Sequence, residues 1–115
     1  MNSGGSMQLA DAVGALSALA QDTRLTVFRE LINAHSPCAQ ECGLSAGELA
    51  QRLGVSASAL SFHLKELTWN KWVVSRRVGR SIIYSANLQT MQQLVTYLPA
   101  DCCAGHCDLN TQSKS

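Results

Sequence analysis

The sequence predicts a mainly α-helical fold carrying one β-hairpin. Three observations lead there. Apolar residues recur at three- and four-residue spacing through four segments between Gln8 and Thr68. Two runs rich in β-branched and aromatic residues, Trp72–Val78 and Ser81–Ser85, then flank Gly79-Arg80, the pattern of a two-residue hairpin turn. A last helical stripe follows from Asn87 to Leu98. The order is four helices, two strands and a helix, with no internal repeat and no domain boundary. The 115 residues suit one domain.

Each element has its own signals. The first helix is expected over Gln8–Gln21, with Leu9, Val13, Leu16 and Ala20 on one face. Asp22 reads as the N-cap of the second, whose stripe is Leu25, Phe28, Leu31 and Ile32. It runs to His35, before Ser36-Pro37 stops it. Cys38–Leu44 reads as a loop by composition. Ser45, with Glu48 three residues later, spells a capping box for the third helix. Leu49 and Leu53 face its core side, and Gly54 ends it. Ser56 opens the fourth helix, with Leu60, Leu64 and Leu67 on one stripe. Asn87 caps the last, where Leu88, Met91, Leu94, Val95 and Leu98 form the apolar side and Pro99 ends it. Residues 1–6, polar and Gly/Ser-rich, read as a disordered leader or a cloning scar. Residues 7–99 read as the folded domain and 100–115 as a cysteine-bearing tail.

Hydrophobic residues make up 46% and charged residues 15% of the chain, a globular balance. No apolar run is long enough to span a bilayer and no signal peptide is visible. No membrane partner is expected, and the cytoplasm is the expected compartment, where thiols stay reduced. The net charge of +1 hides an asymmetry. Between Arg52 and Arg80 six basic residues face Glu66 alone, a local +5, while the rest of the chain carries −4. A basic middle in a nearly neutral chain suits a polyanion.

Two short helices joined through Leu53-Gly-Val-Ser56 and followed by a basic hairpin spell a helix-turn-helix with a wing. With Leu60, Leu64 and Leu67 turned to the core, Ser58, Ser61, Phe62 and Lys65 fall on the opposite side. Small hydroxyls there, with Ser56 at the helix start, let a helix enter a major groove and bond base edges or phosphates. Arg76, Arg77 and Arg80 on the hairpin can hold phosphates or probe a minor groove. On spacing alone, a solvated basic amphipathic helix is the alternative. An exposed Phe62 favours the DNA reading, since a lone aromatic on a solvated face has no other evident role. His63 lies to the side of the core stripe and reads as packing or capping, not as a ligand.

Three stretches carry a family resemblance. Ala20-Gln-Asp-Thr-Arg-Leu-Thr-Val-Phe28 resembles the A-x-x-x-R-L-x-I-L second helix of the ArsR/SmtB repressors. Glu48–Ser56 with Leu60–Leu67 is similar to their helix-turn-helix, and Val74–Tyr84 to their wing. The resemblance covers Leu9 to Leu98. One departure is Trp69-Asn-Lys-Trp72, where the family has an Ala-Gly-Leu-Val-like link. The resemblance implies a winged-helix homodimer joined through its first and last helices. It also implies binding to double-stranded operator DNA of two-fold symmetry, and release when an inducer ion binds.

The family's inducer sites can be compared with this chain one by one. A last-helix zinc site is absent, because Asn87–Leu98 holds no His, Asp, Glu or Cys. An arsenic site at the start of the reading head is absent, because Ala46–Leu53 has no cysteine. None lies between Ser56 and Thr68 either. Cys102, Cys103 and Cys107 remain, with Cys38 and Cys42 as a separate pair. Thiolates select soft ions. The tail is similar to that of family members with a C-terminal Cys-Cys pair and a further cysteine, which answer to arsenite or its methylated form. It therefore implies As(III) or Sb(III) as inducer, held by Cys102, Cys103 and Cys107, with no permanent cofactor. A cadmium, lead or zinc site is an alternative, the last with His106 as fourth ligand. So are a thiol redox sensor and a tail without function. Cys38 and Cys42 read as bystanders or as an accessory metal site. A thiol enzyme such as an arsenate reductase is the rival of another class. It would show a phosphate-cradling loop or a Cys beside a helix N-terminus, and neither is seen, so no enzyme activity is expected. A constitutive DNA-architectural protein would keep the reading head and ignore metals.

Overall fold

The computed structural model describes residues 7–35 and 43–100. The expected leader, Cys38, Cys42, Cys102, Cys103, His106 and Cys107 lie outside the described residues. The described elements are α1 (Leu9–Leu19), α2 (Asp22–Asn33), β1 (Leu44–Ser45), α3 (Ala46–Leu53), α4 (Ala57–Trp69), β2 (Val73–Val78), β3 (Ser81–Ala86) and α5 (Leu88–Tyr97). The expected α-rich winged helix-turn-helix is therefore present, and its wing belongs to a three-stranded antiparallel sheet of order β1-β3-β2.

The third strand corrects the reading of Leu44 as loop. Leu44 pairs with Tyr84 and Ser45 with Ile83, and Leu44 is buried. A two-residue strand has no alternation to read, so composition could not reveal it. Gly43, at φ +119°, admits no side chain, because a Cβ would come within 2.6 Å of the Tyr84 carbonyl oxygen.

In α1 the buried residues are Ala12, Ala15 and Ala18. Leu9, Val13 and Leu16 face outward and stay exposed. Small side chains let α1 pack closely on its neighbours, and the large apolar ones are left on the outside. The N-cap of α2 is Gln21, not Asp22. Gln21 has extended backbone angles, and Asp22 is the first helical residue, where its carboxylate meets the positive end of the helix dipole. The buried face of α2 is Val27, Phe28 and Leu31, and Leu25 from the expected stripe is 44% exposed. Packing against both α4 and β3 turns the buried face of α2 toward Val27.

The α3 cap forms as its residues require. Ser45 Oγ accepts from the Glu48 backbone N–H at 3.1 Å, and Glu48 Oε1 accepts from the Ser45 N–H at 2.8 Å. Gly54 ends the helix in the left-handed region at φ +68°. Leu60, Leu64 and Leu67 of α4 are fully buried.

The link Trp69–Trp72 has a defined geometry. Lys71 takes φ +67°, a left-handed conformation unusual for a residue with a Cβ. Its carbonyl accepts hydrogen bonds from Asn87 Nδ2 and Thr90 Oγ1, which pins the start of α5. Trp72, 1% exposed, stands edge-on to Phe28 at 5.1 Å. Its indole N–H donates to the Ala15 carbonyl at 2.7 Å. On α5, Thr90 and Leu94 are buried, while Leu88, Met91, Val95 and Leu98 are exposed. Leu94, on the expected apolar side of the last helix, is thus covered within one subunit, whereas the rest of that side is not. Leu98 caps α5, which stops one residue before it.

Candidate nucleic-acid interface

Burial of Leu60, Leu64 and Leu67 fixes the rotation of α4. Ser58, Ser61, Phe62 and Lys65 are consequently exposed together on its outer face. Ser56 is the N-cap, and its Oγ accepts from the Ala59 N–H at 3.2 Å. Its own hydroxyl proton is left to donate outward.

A contact not anticipated from the sequence sits beside this face. Arg24, from α2, places its guanidinium carbon 5.4 Å from the Phe62 ring centroid, a cation–π arrangement. Its Nε–H donates to His63 Nδ1 at 3.1 Å and its Nη1 to the Ala18 carbonyl at 3.5 Å. The Phe62 and His63 rings meet edge to face at 5.6 Å. A guanidinium N–H can only donate, so Nδ1 is the unprotonated nitrogen and His63 is neutral with its proton on Nε2. Partial burial, and then the positive charge of Arg24, lower the His63 pKa from 6.5. His63 is thus a packing residue, as expected, with a named partner. Arg24 belongs to the Ala20–Phe28 stretch that resembles the family's second helix, yet no periodicity links it to a residue 39 positions away.

The wing divides its arginines. The register pairs Arg76 with Ile83 and Arg77 with Ile82, and neighbouring strand residues point to opposite faces. Arg77 therefore shares a face with Ser75 and Tyr84. Those two residues, with Ser61, Lys65 and Trp69 of α4, line an open cleft, so Arg77 stands on the side of the reading helix. Arg76 is on the other face and reaches Ser85 Oγ at 3.5 Å. Arg80 is exposed in the turn after Gly79, which has φ +65°. The three arginines are thus not one cluster. Arg52, counted in the basic middle, pairs with Glu30 at 3.3 Å, so part of the local +5 is neutralised. Lys65 on α4 and Arg77 on the same side of the wing set cations beside the exposed helix face, an arrangement suited to contact with nucleic-acid phosphates. Among the described residues, no group of three His, Cys, Asp or Glu side chains comes together to hold a metal ion. Among them, no helix is long and apolar enough to cross a membrane.

Comparison with known proteins agrees with this geometry. A helix-turn-helix domain family matches residues 19–68, which takes in α2, α3 and all but the last residue of α4. The chain is 32% identical over 84 residues to the nodulation protein NolR of Rhizobium meliloti, covering 73% of this chain and 62% of NolR. It thus spans about three fifths of that relative's length. It is 32% identical over 89 residues to the transcriptional activator HlyU of Vibrio cholerae, covering 77% of this chain and 75% of HlyU. Among solved structures, an ArsR-like transcriptional regulator from Rhodococcus sp. RHA1 superposes with a TM-score of 0.64 at 31% identity. That match covers 75% of this chain and 74% of the other.

Proposed function

The chain belongs to the ArsR/SmtB family of winged-helix transcription regulators, and on that premise we propose that it is a repressor that binds operator DNA as a homodimer. In this reading, trivalent arsenicals or antimonite taken up by Cys102, Cys103 and Cys107 release it. The observation that carries the DNA reading is the outer face of α4, where Ser58, Ser61, Phe62 and Lys65 are exposed together beside the wing. The dimer rests on two uncovered apolar faces, Leu9, Val13 and Leu16 of α1 and Leu88, Met91 and Val95 of α5 with Leu98 at its end. A two-fold pairing would remove both from water at once.

The inducer reading rests on donor chemistry. Three thiols within six residues of the tail form a soft donor set that suits As(III) or Sb(III). Arsenite takes three sulfurs. Methylarsenite has one bond already on carbon and takes two, for which Cys102 and Cys103 are the natural pair. Operator half-sites lie about one helical turn apart. A change of dimer spacing would therefore cost both reading heads their contacts together. Release by about a hundredfold corresponds to a coupling free energy of about 3 kcal/mol.

A gel-shift titration with arsenite, methylarsenite, antimonite, cadmium and zinc tests the reading. Arsenite should release the wild type but not Cys102→Ser, Cys103→Ser or Cys107→Ser. Cys107→Ser should still answer to methylarsenite, and DNA affinity without inducer should survive all three changes. Full arsenite release of the triple tail variant would move the site to Cys38 and Cys42. Release by zinc or cadmium but by no arsenical would replace the inducer.

A further inference from the structure

We propose that Phe62, seated by Arg24 and His63, is a specificity-determining residue of the reading head and takes the 5-methyl group of a thymine in the major groove. The inference rests on the DNA-binding reading above. Phe62 is 54% exposed on the outer face of α4, with Ser58 and Ser61 before it and Lys65 after it along the helix, at the edge of that face where Arg24 of α2 meets it. An exposed phenyl ring in such a place normally samples several rotamers. Here Arg24 lies against the ring and His63 meets it edge to face. Arg24 is itself held by the His63 and Ala18 acceptors. The ring is thus oriented before any partner arrives, so less side-chain entropy is lost on binding.

What such a ring can recognise follows from chemistry. It offers no conventional hydrogen bond, so it gains nothing from the polar edges of guanine, cytosine or adenine. Thymine alone places an apolar methyl group in the major groove. The hydroxyls of Ser58 and Ser61 remain available for neighbouring base edges or phosphates. Arg24 acts through Phe62, as a positioning residue.

The test uses the full chain and a duplex selected from a randomised pool. Each thymine of that duplex is then replaced in turn by deoxyuridine, which removes only the methyl group. Wild type is expected to lose about fourfold in affinity at one position per half-site, the worth of one methyl group leaving water. Phe62→Ala removes the contact from both half-sites of the dimer, so it should bind the thymine duplex about sixteenfold more weakly and show no preference for thymine over deoxyuridine. Phe62→Leu should retain part of the preference. Arg24→Gln should shrink the preference while leaving the salt dependence of binding unchanged. Thermal melts confirm that each variant folds, as expected for an exposed ring. Three results would overturn the inference while leaving DNA binding intact. They are a flat deoxyuridine scan of wild type, a methyl preference that persists in Phe62→Ala, and an Arg24→Gln variant that keeps the preference but lowers the salt slope by about two, as loss of one phosphate contact per protomer does. Failure to select any duplex would overturn the DNA-binding reading itself, and this inference with it.

Discussion

Replacing Trp72 with phenylalanine is expected to cost about 2–3 kcal/mol of stability. Phenylalanine keeps a ring to meet Phe28 edge-on, so part of the contact at 5.1 Å survives. Two things are lost. The indole N–H no longer donates to the Ala15 carbonyl at 2.7 Å, a bond worth about 1 kcal/mol net. The missing ring atoms leave a space in a site that is 1% exposed, at about 1–2 kcal/mol more. That sum is a large share of the roughly 5–15 kcal/mol that holds a typical domain together. The bond joins residues 57 positions apart, and it ties α1 to the link that launches β2. Trp69 supplies the control. It is 81% exposed, so Trp69→Phe should cost less than about 0.5 kcal/mol. Denaturant unfolding followed by circular dichroism measures both, at one fixed protein concentration because dimer dissociation would shift the midpoint. The chain has 2 tryptophans, so each variant also isolates the other's fluorescence. Trp72 alone should emit as a buried indole and resist acrylamide, whereas Trp69 alone should be readily quenched. Equal costs for the two variants, or a Trp72→Phe loss below about 0.5 kcal/mol, would refute the reasoning.

Other expected outcomes are as direct. Lys71→Gly relieves a left-handed conformation at φ +67° and should stabilise the protein by about 1 kcal/mol, after the greater freedom of glycine in the unfolded chain is subtracted. A midpoint that falls instead would refute this. The lowered pKa of His63 in the folded state means that the unfolded chain gains a proton first as pH falls. This contribution to stability is therefore complete above the unfolded value of 6.5 and is lost as pH drops through and below it. Urea titrations across that range should show a shallower pH dependence in His63→Gln than in wild type, and identical profiles would count against it. Lys65→Ala and Arg80→Ala should each weaken duplex binding and reduce the salt slope by about two, one contact for each protomer of the dimer, and unchanged binding in both would refute the docking. Leu9→Glu with Val13→Glu charges the exposed face of α1 and should yield monomers in sedimentation at micromolar concentration. Wild type that is itself monomeric there would remove the dimer.

Much of the fold was legible because its signals are local. The capping box at Ser45 and Glu48, the left-handed Gly54, the Ser56 and Asn87 caps and the Gly79-Arg80 turn each depend on residues within about four positions of one another. The α4 stripe is as local, and once Leu60, Leu64 and Leu67 face the core the exposed set of Ser58, Ser61, Phe62 and Lys65 follows from helical geometry. The link Trp69–Trp72 departs from the family pattern, and its sequence alone did not say that Lys71 would take the left-handed position.

Tertiary structure decided what depends on partners distant in sequence. The α2 face turns toward Val27 and leaves Leu25 outside, because α4 and β3, not α2's own periodicity, settle which side is covered. Leu44 becomes a strand because the β3 edge offers it partners. Arg76 and Arg77, adjacent in sequence, are sent to opposite faces by a register that only the folded hairpin defines. Arg24 reaches Phe62 and His63 only when α2 packs beside α4. Caps and turns satisfy backbone groups within a few residues, so their chemistry is written locally. Side-chain pairing across the core is selected by the summed burial and hydrogen bonding of many segments, and no single stretch of sequence contains that sum.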